Sequence, residues 1–125
     1  MLFRSLSIFF SGHPDVFIIP FVAKRILTGS SLTYACEGIL GKVTWSKVIS
    51  GTPVELPTPS LPGVSVKSSF GKYGIEKKDL IISRADSSHI GVYECTLDYK
   101  GKTMEKSVQV DVRGKNCENL SNGMG

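Results

Sequence analysis

Residues 80–95 read LIISRADSSHIGVYEC, and they set the fold class of the chain. Leu80 and Ile82 fall on one side of an alternating segment, as on a strand with a buried face. A polar corner at residues 86–89 follows Ala85. Beyond Gly91 the alternation resumes, with Tyr93, Cys95 and Leu97 on one face. The pattern is strand, corner, strand.

The same texture continues outward. From residue 16 on, short runs rich in Val, Ile, Thr, Tyr and Phe alternate with Gly, Pro and Ser. No window sustains a 3.6-residue apolar period with helix caps. An opening strand spans 16–22 and 25–27, split at Pro20, because proline cannot donate to a ladder. Further strands are expected at 31–37, 42–47, 54–56, 64–68, 79–83, 92–98 and 103–112. Pro53, Pro57, Pro59 and Pro62 mark an extended, edge-like crossing. About eight or nine short strands with frequent turn signals indicate a two-sheet sandwich.

Residues 80–95 also match, at Leu80, Ile82, Ala85, Gly91, Tyr93 and Cys95, the pattern L-x-I-x-x-A/V-x-x-x-D-x-G-x-Y-x-C. Upstream stand GSSLTYAC at 29–36 and VTWSK at 43–47, and downstream SVQVDV at 107–112. Together these resemble the immunoglobulin superfamily over about residues 16–113. Their spacing is most like the intermediate-set domains of adhesion molecules and receptor ectodomains, with the variable type second. The resemblance implies an all-β, antiparallel Greek-key sandwich. It further implies a Cys36–Cys95 bridge between the sheets, Trp45 packed on it, and Tyr93 anchoring the corner. A closed loop of that length stabilises by about 4 kcal/mol in the chain-entropy picture. Three features depart from the pattern. His89 stands where the family has Asp, which makes this corner a candidate pH-sensitive element. Trp45 follows Cys36 closely, so the intervening loop is short. Tyr34 replaces an aliphatic residue.

With 125 residues the chain forms one domain of globular composition. Residues 1–15 read as a leader remnant or extra flexible segment, and 114–125 as a flexible polar tail. Its longest apolar run, 16–23, is too short to span a membrane and contains Pro20. The net charge of +4 is spread, with acids interleaved among bases, so no nucleic-acid footprint exists. Weak polyanion or glycosaminoglycan binding through Lys67, Lys72, Lys77 and Lys78 is one alternative.

An enzyme is not expected, nor a cofactor or metal. Asp86, Ser87, Ser88 and His89 are triad residue types, but neighbours in one turn cannot hold triad geometry. Gly101-Lys102-Thr103 mimics the end of a phosphate loop, but Thr96 stands where that loop needs Gly. The histidines are only His13 and His89, and no Cys-x-x-Cys occurs.

The resemblance implies extracellular protein–protein recognition, homophilic or heterophilic, in cell adhesion or as a receptor. A homodimer falls within that range, and a structural spacer of a multi-domain protein is the other class. Candidate contact residues are Thr44, Ser46, Glu94, Thr96 and Asp98, outward by alternation, with Ser107 and Gln109 beside them. Tyr99, Lys100 and Lys102 occupy the turn that follows, where Tyr99 is the favoured anchor. Asn119 opens a glycosylation sequon. Cys117 is left over as a free or interchain thiol. The implied bridge calls for an oxidising compartment, secreted or at a cell surface.

Overall fold

A computed structural model describes residues 13–114. Among the described residues, nine strands form two facing sheets. The four-stranded sheet has the order β1 (Asp15–Ile19), β3 (Leu32–Ile39), β7 (Glu76–Ile82), β6 (Val64–Phe70). The five-stranded sheet has the order β2 (Lys24–Leu27), β9 (Lys102–Arg113), β8 (Gly91–Tyr99), β4 (Lys42–Ile49), β5 (Thr52–Glu55). Every pairing is antiparallel except β2 with β9, which run parallel.

Alternation decides which side chains meet. Val16 and Ile18 on β1, Leu32, Tyr34 and Cys36 on β3, and Leu80 and Ile82 on β7 are buried from one sheet. Val43 and Trp45 on β4, Tyr93, Cys95 and Leu97 on β8, and Val108, Val110 and Val112 on β9 face them from the other. Each large aliphatic so buried contributes roughly 1.5–3 kcal/mol. Cys36 and Cys95 are bonded across the core. Trp45 lies opposite Cys95 in the ladder and donates from its indole Nε1 to the Lys78 carbonyl at 2.9 Å, so its one polar atom is satisfied.

The start of the chain departs from expectation. The segment 16–22 with 25–27 is not one strand interrupted at Pro20. It is two strands in different sheets: β1 ends at Ile19, and the chain crosses to β2 beside β9. Tyr34 explains how the crossing is held. Its ring is fully buried, and its hydroxyl donates to the Val22 carbonyl at 2.7 Å. An aliphatic residue there would fill the core but could not make this bond to the crossing segment.

The turn between β3 and β4 is only Leu40-Gly41. A Cβ on Gly41 would stand 2.7 Å from the Asp98 carbonyl oxygen, so only glycine lets β8 approach this closely.

Candidate functional site

The outward positions of β4, β8 and β9 form one polar face. Register sets Ser46 between Glu55 and Glu94, with Glu94 next to Ser107, and sets Thr96 between Thr44 and Glu105. Asp98 lies between Lys42 and Thr103. The structure thus brings Thr44, Ser46, Glu94, Thr96 and Asp98 together on one surface. Exposure is uneven. Ser46 is buried, contrary to its expected role as a contact, because β4 is flanked on both sides by strands whose glutamates border it. Thr44, Glu94 and Thr96 are half-buried, and Asp98 is exposed. Burial pushes the Glu94 carboxyl up, and the nearby Glu105 charge adds to this. Glu55, Glu94 and Glu105 therefore make an acidic centre on a chain whose net charge is +4.

Beyond Asp98 the chain turns through Tyr99, Lys100, Gly101 and Lys102. Lys100 (φ 50°) and Gly101 (φ 81°) give this hairpin its left-handed pair of residues. Lys100 Nζ sits 5.2 Å from the centre of the Tyr99 ring. The ring is half-buried under its own neighbour and is a less open anchor than the sequence implied.

At the other end of the sandwich lies the corner of residues 86–89. His89 is 2% exposed. Its Nδ1 accepts from the Asp86 main-chain N–H at 3.0 Å, and its Nε2 faces the Pro62 carbonyl at 2.8 Å. An N–H can only donate and a carbonyl only accept, so the ring carries its proton on Nε2. The Asp86 carboxylate accepts from the Ser88 hydroxyl and main-chain N–H, which hold it below the usual carboxylate range. The Ser88 hydroxyl thus serves Asp86 and not His89, a cap and not a triad. Tyr93 donates from its hydroxyl to the His89 carbonyl at 2.6 Å.

Lys47 completes this corner, and alternation did not single it out. It shares the inward face with Val43 and Trp45, and only 7% of it is exposed. Its Nζ donates to the Ser88 carbonyl at 2.8 Å and lies 5.9 Å from the Tyr93 ring centre. Burial pulls its pKa down. Gly91 leaves it room: at φ 149° a Cβ would stand 2.9 Å from Lys47 Cε.

The four lysines of the polyanion alternative are not gathered into one patch. Lys67 is opposite Asp79 and Lys77 opposite Glu37, while Lys78 alternates to the other side of β7. Lys72 lies apart, in a turn after β6. Sequence reasoning missed Phe70 and Tyr73 near that turn, although the Gly71–Gly74 punctuation around Tyr73 marks an exposed loop tip. Cys117 and Asn119 lie outside the described residues, as do the first twelve of residues 1–15. Among the described residues, no helix is long and apolar enough to cross a membrane.

No family model matches the chain, and no curated protein matches it. Solved structures do. The titin domains Z1Z2 in complex with telethonin are 21% identical, with a TM-score of 0.61 over 82% of this chain and 48% of that one. A complex of titin M10 with an obscurin-like 1 Ig domain matches at 18% identity and TM-score 0.60, covering 83% of this chain and 97% of the other. The twitchin kinase region from C. elegans matches over 79% of this chain but only 16% of its own length, at 20% identity and TM-score 0.57. These likenesses establish an immunoglobulin-like fold.

Proposed function

We propose that this immunoglobulin-like domain is an extracellular protein-recognition module of the intermediate type. One observation carries the recognition role: the outer face of β9, β8 and β4 concentrates Glu55, Glu94 and Glu105 although the chain is basic overall. Carboxylates crowded without a base in their own rows are complementary to a basic protein surface. The turn at Tyr99 and Lys100 borders that face and supplies an aromatic contact. Two of the similar titin structures are complexes with protein partners, which supports the reading. The short β5 and the lack of a further strand between it and β6 among the described residues support the intermediate type. The buried Cys36–Cys95 bond supports an oxidising compartment.

The test is a screen of the purified chain against an array of extracellular domains, itself included. We expect a partner whose binding drops at least about tenfold with Glu94→Lys or Tyr99→Ala and is unmoved by Lys67→Ala. Binding equally insensitive to all three overturns the assignment of this face.

A structural spacer is the second reading. Its support is that β1 starts at the end where β3 finishes, while β9 finishes at the opposite end. A spacer shows no partner in the screen.

A further inference from the structure

The end of the sandwich opposite the His89 corner carries three turns: residues 40–41, 71–75 and 99–102. The ladders place them side by side. Gly38 and Phe70 both lie opposite Glu76, and Lys42 lies opposite Asp98. The Val43 main-chain N–H donates to Glu76 Oε1 at 2.8 Å, tying the first turn to the second.

Apolar side chains crown this end. Tyr73 is 96% exposed and Phe70 72%, while Leu40 is exposed at its margin. These are not frayed. The turn is closed by Gly71 N–H to the Ile75 carbonyl at 2.7 Å and Ile75 N–H to the Lys72 carbonyl at 3.3 Å. Tyr73 (φ 61°) and Gly74 (φ 73°) are both left-handed, a conformation that costs a tyrosine free energy and projects its ring away from the core. Lys72 neighbours Tyr73 in the same turn, and Lys42, Lys100 and Lys102 are exposed at the same end of the sandwich, where Asp98 is the exposed carboxylate beside them.

Two surface hollows, of about 410 and 280 Å³, lie along the β2–β9 edge, away from these turns. Protruding rings with exposed lysines at the same end fit a soft boundary that is apolar beneath and anionic above. Aromatic side chains with a polar tip favour that depth.

We propose that this end docks on an anionic phospholipid surface. Phe70 and Tyr73 enter the headgroup layer, and Lys72, Lys100 and Lys102 lie among the phosphates. The inference goes beyond protein recognition, which uses the acidic sheet face. The two share only the turn at Tyr99, so the decisive variants are placed elsewhere.

The experiment is flotation of the full chain with phosphatidylcholine vesicles, with and without about 30% phosphatidylserine. We expect capture by the anionic vesicles only, weakened by raised salt. Phe70→Ser with Tyr73→Ser should weaken it about tenfold, and Lys72→Glu about fivefold. Tyr73→Trp should retain it. A circular dichroism spectrum and melting temperature like the native chain's certify the fold of each variant. No capture by anionic vesicles overturns the proposal. So does capture indifferent to Phe70 and Tyr73, which marks charge attraction alone. So does capture abolished by heparin yet unchanged by the aromatic pair, which marks a sulfated polymer as the ligand. Glu94→Lys tests the acidic face and should not weaken vesicle capture.

Discussion

The two ends of this sandwich solve opposite problems with similar side chains. At the corner of residues 86–89, a lysine, a histidine and a tyrosine are all buried, and each polar atom has a named partner. At the other end, Phe70, Tyr73 and several lysines are exposed on tight turns. Residue type alone does not separate the two. The difference is whether the main chain offers carbonyls and N–H groups for the side chain to meet. At the corner, Ser88, Pro62, Asp86 and His89 supply them. At the tip the 71–75 turn bonds to itself, through Gly71 N–H to the Ile75 carbonyl and Ile75 N–H to the Lys72 carbonyl.

If the corner is held by main-chain partners, removing its centre has the largest effect. His89→Ala strips the partner from the Asp86 N–H and the Pro62 carbonyl and leaves a void. We expect a loss of about 3 kcal/mol in urea unfolding. A loss below about 1 kcal/mol would show that water replaces the ring without penalty.

The buried phenols give the next effect, and it depends on pH. Burial pushes Tyr34 up to about 12 from 10.0 and raises Tyr93 as well. The folded state keeps these protons where the unfolded chain has lost them. Their contribution is therefore complete below pH 10 and is lost as pH rises towards about 12. Lys47, held down by burial, acts in the opposite sense, so it stays in place in every variant compared. Tyr34→Phe and Tyr93→Phe should each cost about 1 kcal/mol at neutral pH through the lost hydroxyl bond. Each should also flatten the alkaline fall in unfolding midpoint. A native-like alkaline slope in both would contradict the burial argument.

The smallest effect belongs to the tip. Phe70→Ser with Tyr73→Ser should change stability by no more than about 0.5 kcal/mol, since neither ring packs on the core. A larger loss would erase the distinction between the ends.

Much of this was legible in the sequence. The alternation of Leu80, Ile82, Tyr93 and Cys95, with Trp45 and Cys36 upstream, led to the sandwich and its bridge. The break at Pro20 was visible too, but not its consequence. Periodicity places side chains on faces and says nothing about which sheet a segment joins, so the crossing to β2 is visible only in the fold. Ser46 shows another limit: alternation gives direction, while burial depends on what flanks a central strand. Lys47 was overlooked because a lysine reads as solvated unless its carbonyl partner, 41 residues away, is known. The acidic face likewise needed register, since Glu55, Glu94 and Glu105 are far apart in the chain.

The parallel pairing of β2 with β9 has a mechanical consequence. Under tension applied between residues 13 and 114, β1 and β2 are drawn toward the tip while β9 is drawn toward the corner. The load then lies along the strand axes, so the β2–β9 bonds share it and fail together instead of opening one by one. The Tyr34 hydroxyl bond to the Val22 carbonyl lies just upstream of β2 and would be loaded with it.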